Sequence, residues 1–199
     1  MQRVLVDTCF VEKFKNGIHL SEDFKRLMCE LGYEPVVHPY VLDKEFDVFD
    51  FVKESVEKGV LTVIPYEEFL KDDDTKQYYK ALFFQIYEAF RSALIDVNSH
   101  KAERLIELDE STDIFNIRRS GSSLGDVHII LLAVFLEIPI ILSEDSDLEI
   151  IYRLIKNRIK SEKSNLEVYN FQNVIEVIKS KKDKTFSGKE LKAILRKYR

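Results

Sequence analysis

The chain has 199 residues, 45% of them apolar and 33% charged, with a formal net charge of −5 and only six glycines and four prolines. That composition suffices for one buried core and excludes a disordered chain or two domains on a low-complexity linker. No apolar run nears the roughly 20 residues that span a bilayer, and "MQRVLVDTCF" lacks the basic, apolar and small-residue regions of a signal peptide, so a cytoplasmic protein with no membrane partner is expected.

"RVLVDTCF" is a short β-branched run ending in polar residues, the pattern of a first buried strand. "LSEDFKRLMCELGY" predicts a helix, with Ser21 as N-cap, acids in the first turn and Gly32 as the C-terminal stop. "PVVHPYVLDKEF" starts extended because of Pro35 and Pro39, then turns helical through "YVLDKEFDVFDFVKESVEKG" to a stop at Gly59. "VLTVIPY" predicts a second inner strand, and "YEEFLKDDDTKQYYKALFFQIYEAFRSALI" a long helical stretch with Leu82, Ile86, Ala89, Phe90 and Ala93 at helical spacing. "NSHKAERLIELDEST" predicts one more helix, and "RRSGSSLG" a polar loop whose Ser122 or Ser123 caps the apolar helix carrying Asp126. "IPIILSED" is a third buried strand, "DSDLEIIYRLIKNRIK" a basic helix, and "LEVYNFQNVIEVIKS" a fourth strand running into a helix. Cys9 and Cys29 read as small core residues rather than a disulfide or metal pair.

Strands alternating with helices predict an α/β protein, a three-layer α/β/α sandwich around a mostly parallel sheet. Residues 1–180 are expected to form one domain with a helical insertion around 66–112, and 181–199 a basic C-terminal helical extension. Charge is lopsided: Arg153 to Arg199 holds fourteen Lys or Arg against five Asp or Glu. A basic surface beside an acidic site suits a polyanionic partner.

In an open parallel sheet, sites gather outside the carboxyl ends of the strands. Asp7 leaves the first strand, and Asp145 and Asp147 leave the "IPIIL" strand. Asp126 heads the helix crossing back to that strand, which a right-handed crossover places at the same edge. Both ends of the apolar segment then meet one acidic pocket. Clustered carboxylates repel one another unless a cation compensates, and oxygen-only donors favour hard ions such as Mg²⁺ or Mn²⁺. Such an ion activates water and steadies a leaving oxygen, the chemistry of phosphodiester hydrolysis.

"VLVDTCF", "SSLGDVHIILLAVFLEIPIILSEDSDL" and "LEVYNFQNVIEVI" together resemble the PIN-domain family of metal-dependent nucleases, which includes toxins of toxin–antitoxin pairs. The resemblance implies an endoribonuclease for single-stranded RNA, with Asp7, Asp126 and Asp145 holding the metal. Glu45 and Asp147 would contribute through water or beside the ion, Asp147 also counting as a candidate ligand, and Thr8 or Ser143 would hydrogen-bond the acids. It makes Asp7, Glu45, Asp126 and Asp145 the catalytic set, Arg118 and Arg119 candidate phosphate contacts, and an antitoxin protein or a second copy of the chain candidate partners. The chain departs from compact toxin members in its 66–112 stretch and basic tail. A binding or scaffold protein with a degenerate metal site is the alternative. A phosphatase with a nucleophilic Asp is set aside, because that chemistry wants a second acid two residues on, where this chain has Cys9. His19, His38, His100 and His128 are given no role, and His128 reads as a packed core histidine.

Overall fold

A computed structural model describes residues 1–45, 50–109, 111–118, 122–156 and 166–198. The chain opens with β1 (Gln2–Val6), whose Val4, Leu5 and Val6 are fully buried, and passes through Asp7 into the short helix α1 (Thr8–Glu12). Strands β2 (Lys15–Asn16) and β3 (His19–Leu20) then pair as a small antiparallel hairpin, which the sequence reading did not anticipate. Gly17 turns it with φ +63, backbone that a glycine adopts without strain. Helix α2 (Glu22–Leu31) has the expected ends: Ser21 accepts a hydrogen bond from the Phe24 N–H, and Gly32 takes the left-handed conformation.

Next come β4 (Tyr33–Val37), α3 (Pro39–Lys44), α4 (Asp50–Glu57), β5 (Thr62–Val63), α5 (Tyr66–Phe69) and the long α6 (Asp73–Asp96). A 3₁₀ turn at His100–Arg104 follows, then α7 (Leu124–Phe135), β6 (Ile140–Leu142), α8 (Asp147–Lys156), β7 (Glu167–Tyr169), α9 (Phe171–Ser180) and α10 (Gly188–Lys197). The main sheet has the order β5-β4-β1-β6-β7 with every pairing parallel. Helices α6, α7 and α8 pack together, with α3 against α7, while α2, α9 and α10 form a second group. The architecture is the expected α/β sandwich.

Three local expectations are corrected. The "VLTVIPY" segment supplies a two-residue edge strand, β5, and the inner strand beside β1 is Tyr33–Val37. Pro35 obscured that strand; β5 pairs only with Val36 and Val37, so at Pro35 the strand has a neighbour on one side, where a missing N–H is tolerated. The segment after Asn98 forms a single 3₁₀ turn rather than a helix: the Ile106 N–H donates to the Tyr87 hydroxyl at 3.1 Å, which takes it out of any helical ladder. The helix expected from Tyr40 to Gly59 is two, α3 and α4, between which residues 46–49 lie outside the described residues.

Helix α7 is buried almost all round, from Val127 to Ala133. A helix apolar on every face needs cover on every face. Helices α6, α8 and α3 pack against it. The helical insertion is therefore the outer wall of the central helix, and one buried polar chain fixes it there. His38 accepts from the Tyr40 N–H through Nδ1 (2.9 Å), leaving Nε2 to carry the proton toward the Tyr79 hydroxyl of α6 (3.3 Å). Tyr79 in turn donates to His128 Nδ1 (2.8 Å), and His128 Nε2 donates to the Ile114 carbonyl (3.0 Å). Both histidines are neutral, with pKa values pushed down by burial first, His128 to about 3.

Residues beyond Ser180 also join the core. Phe186, Leu191, Ile194 and Tyr198 are buried, the Tyr198 ring lies 4.6 Å from that of Phe14, and its hydroxyl reaches Ser21 Oγ (2.8 Å) and Asp23 Oδ2 (2.7 Å). Among the described residues no helix is long and apolar enough to cross a membrane.

Candidate acidic metal site

Chain order fixes where a site can form. From β1 the sheet grows outward through β4 to β5, and then, on the other side of β1, through β6 to β7. The direction reverses between β1 and β6, and a crevice opens outside their carboxyl ends. Register sets the side chains there: Val6 pairs with Leu142, and the Asp7 N–H donates to the Leu142 carbonyl at 3.0 Å, so Asp7 and Ser143 leave the sheet side by side.

Asp7 is 5% exposed and its carboxylate is held on three sides. It accepts from the Thr8 N–H (2.6 Å), the Ser143 hydroxyl (2.6 Å) and the Cys9 thiol (2.8 Å). Ser143 Oγ also accepts from the Asp145 N–H at 2.9 Å, which ties the β6 turn to the β1 turn. Thr8 uses its hydroxyl on Glu45 Oε2 at 2.5 Å, drawing in an acid from the end of α3.

Asp126 sits in the first turn of α7, where the helix dipole favours a negative charge. Ser123 precedes the helix with φ +54 and forms no side-chain cap; its hydrogen bond goes to the Asp126 carboxylate instead. Ligand oxygens of Asp126, Asp145 and Asp147 all lie within 4.8 Å of one another. Two oxygens bound to one Mg²⁺ stand at most about 4.2 Å apart, so the trio needs little adjustment to hold an ion. Asp147 is buried, and Asp145 Oδ1 accepts from the Asp147 N–H at 2.9 Å, a turn that starts α8. Asp7 stands outside this trio, its carboxylate already bonded to Thr8, Cys9 and Ser143.

The acids face one another electrically. Burial pushes Asp126 well above the usual carboxylate range, and the charges of Asp7, Glu45 and Asp145 push it further, against the Ser123 hydrogen bond. Asp7 is raised by burial despite its three donors, with Asp145 adding to the effect. Glu45 rises to about 7, from burial first and then the charge of Asp7, against the Thr8 hydrogen bond. Such values mark carboxylates held close without enough compensating charge, and an all-oxygen set in that condition suits a hard divalent cation.

Three contributors were not foreseen. Lys101, in the turn after α6, places Nζ 2.8 Å from Asp147 Oδ2 and 3.6 Å from Asp145 Oδ1. Nothing in "NSHKAERL" distinguishes this lysine from any other, because its partners are more than forty residues away. Gly125 is the second: a Cβ built there would stand 2.0 Å from Glu45 Oε1, so the bare backbone makes room for that acid. A glycine inside the first turn of a long apolar helix is its trace in the sequence, since glycine disfavours helix and needs another reason to be there. Cys9, the third, was read as core filler. Its half-buried thiol instead donates to Asp7, and burial first, then the charge of Asp7, pushes it up to about 12, a protonated and inert group. Cys29 is exposed.

Of the two arginines, Arg118 follows Ile117, whose carbonyl accepts from the buried Tyr40 hydroxyl at 2.8 Å. Tyr40 is raised by burial and by Glu45 and lowered by Arg118, which places Arg118 and Glu45 around one phenol. Arg119 lies outside the described residues. No known protein family, curated protein or solved structure matches the chain.

Proposed function

We propose that this chain is a divalent-metal-dependent endoribonuclease acting on single-stranded RNA, as its resemblance to the PIN-domain family implies. One observation carries the reading: Asp7, Glu45, Asp126, Asp145 and Asp147, from four segments of the chain, meet at the switch point of a parallel sheet. Asp126, Asp145 and Asp147 would hold Mg²⁺ or Mn²⁺, which when bound supplies an acidified water and a positive charge beside the leaving oxygen. Ser143 and Thr8 keep Asp7 and Glu45 from swinging away. With Oε2 engaged by Thr8, Glu45 titrates near neutrality, which is the condition for taking a proton and returning it. Arg118, at the Tyr40 end of the pocket, is the candidate contact for a substrate phosphate, and the exposed lysines of α10 offer further positive charge to a polyanion.

Purified protein is expected to cut unstructured RNA with Mn²⁺ or Mg²⁺ and to lose that activity in EDTA. Asp7→Asn and Asp126→Asn each lower it by at least about a hundredfold, the scale of loss when a group acting on the transition state is removed. Activity that survives EDTA, or survives both substitutions, overturns the mechanism. A second reading has an observation of its own. Lys101 already neutralises part of the trio, as expected of a scaffold or RNA-binding protein whose metal site has lapsed; metal-independent RNA binding without cleavage distinguishes it. A toxin paired with an antitoxin remains the family's implication, tested by growth arrest on expression.

A further inference from the structure

Lys101 has no part in the proposed hydrolysis. Its side chain is half-exposed, and it comes from the insertion rather than from the sheet edge that supplies the acids. Among the described residues it is the cation bonded to Asp145 and Asp147. Asp147 is the more telling partner: its side chain is 5% exposed, and the Lys101 ammonium, at 2.8 Å, supplies its compensating charge. A half-exposed lysine ammonium is charged at neutral pH, and this one stands within reach of both acids. The Asp147 oxygens wanted by a divalent ion are therefore claimed in advance by a monovalent one on a tether.

We propose that Lys101 competes with a divalent cation for Asp145 and Asp147, so that ion binding and release of the 100–104 turn are one coupled event. This rests on the metal-binding reading above. Two cations cannot both sit against one carboxylate pair without repelling each other. The Lys101 side chain must therefore move as the ion enters, and the turn is well placed to follow: its residues are largely exposed, Ser99 caps it through the Lys101 N–H, and it sits directly after the end of α6. The insertion thereby acts as an internal brake on the metal site, keeping the acids paired until an ion displaces the lysine.

The test is Mn²⁺ binding, read by the electron paramagnetic resonance signal of the free ion, on wild type, Lys101→Met and Lys101→Arg at pH 7. Lys101→Met is expected to bind Mn²⁺ about tenfold more tightly than wild type, since a hydrogen bond to a charged group no longer has to be given up. Lys101→Arg, which keeps the charge, is expected to stay within about threefold of wild type. Thermal melts give an independent readout: Lys101→Met melts below wild type without metal, and the gap closes at saturating Mn²⁺. Equal or weaker binding by Lys101→Met overturns the competition alone. Absence of Mn²⁺ binding in both wild type and Lys101→Met removes the metal reading together with it.

Discussion

At the scale of single residues, Asp7, Glu45 and Asp126 shed their protons poorly, first because they are buried and then because neighbouring acids repel the charge. A divalent ion must displace those protons, so its affinity depends on pH. The sign follows from the direction of the shifts. Glu45 at about 7, with Asp7 and Asp126 raised as well, holds protons in the metal-free protein that it loses when an ion binds. Mn²⁺ affinity is expected to rise by about tenfold between pH 6 and 8 with release of about one proton, measured by calorimetry in two buffers of different ionisation heat; a flat profile contradicts it. Gly125 offers a cleaner cut. Gly125→Ala leaves the backbone unstrained, since this glycine does not need a positive φ, but drives Glu45 Oε1 from its place. Metal-dependent cleavage should fall at least about tenfold while the melting temperature holds or rises, alanine being the better helix former by about 1 kcal/mol. Asp7, Asp126 and Asp145 were legible beforehand because each sits where an apolar run meets a turn. Lys101 was not, since a contact made across the fold leaves no mark in the residues beside it.

At the scale of elements, the insertion owes its position to the His38–Tyr79–His128 chain as much as to apolar packing. Tyr79→Phe strands a buried N–H on one histidine and a lone pair on the other, and should cost about 2 kcal/mol in urea unfolding. The same histidines set an acid limit. Their folded pKa values lie below the unfolded value of about 6.5, so the unfolded chain takes up protons first and stability falls as pH drops below that point. Each contributes a loss of order 2 kcal/mol by pH 5. The raised acids work in the opposite sense, losing stability as pH rises toward about 7, so the test is a difference: the stability of wild type relative to a His38→Gln/His128→Asn double variant should fall as pH drops from 6.5 to 5. The apolar helix around His128 was evident in the sequence, and its burial on every side required another layer, which α6 provides. The strand Tyr33–Val37 was masked by Pro35, and the turn at His100–Arg104 looked helical because a tertiary bond to Tyr87 outweighs local propensity.

At the scale of the whole molecule, a doubly wound sheet places the carboxyl ends of β1, β4 and β6 together, and α10 closes the opposite helical group by seating Tyr198 against Phe14 and α2. A chain ended at Ser180 would uncover Phe14 and Phe171 and forgo burial of Phe186, Leu191, Ile194 and Tyr198. Stability should drop by at least about 4 kcal/mol, as two or more large apolar side chains returned to water require; an unchanged urea midpoint contradicts this. Alternation of strand and helix made the sandwich readable, while the docking of the tail was hidden because its apolar residues are few and spaced among lysines. The central claim is that distant acids form one cation-holding nest. It is tested most directly by the Mn²⁺-dependent shift in melting temperature of wild type against Asp126→Asn. Wild type should gain several degrees with Mn²⁺, while Asp126→Asn melts higher than wild type without metal, freed of like-charge repulsion, and gains nothing. An equal Mn²⁺ shift in both proteins, or none in wild type, would contradict it.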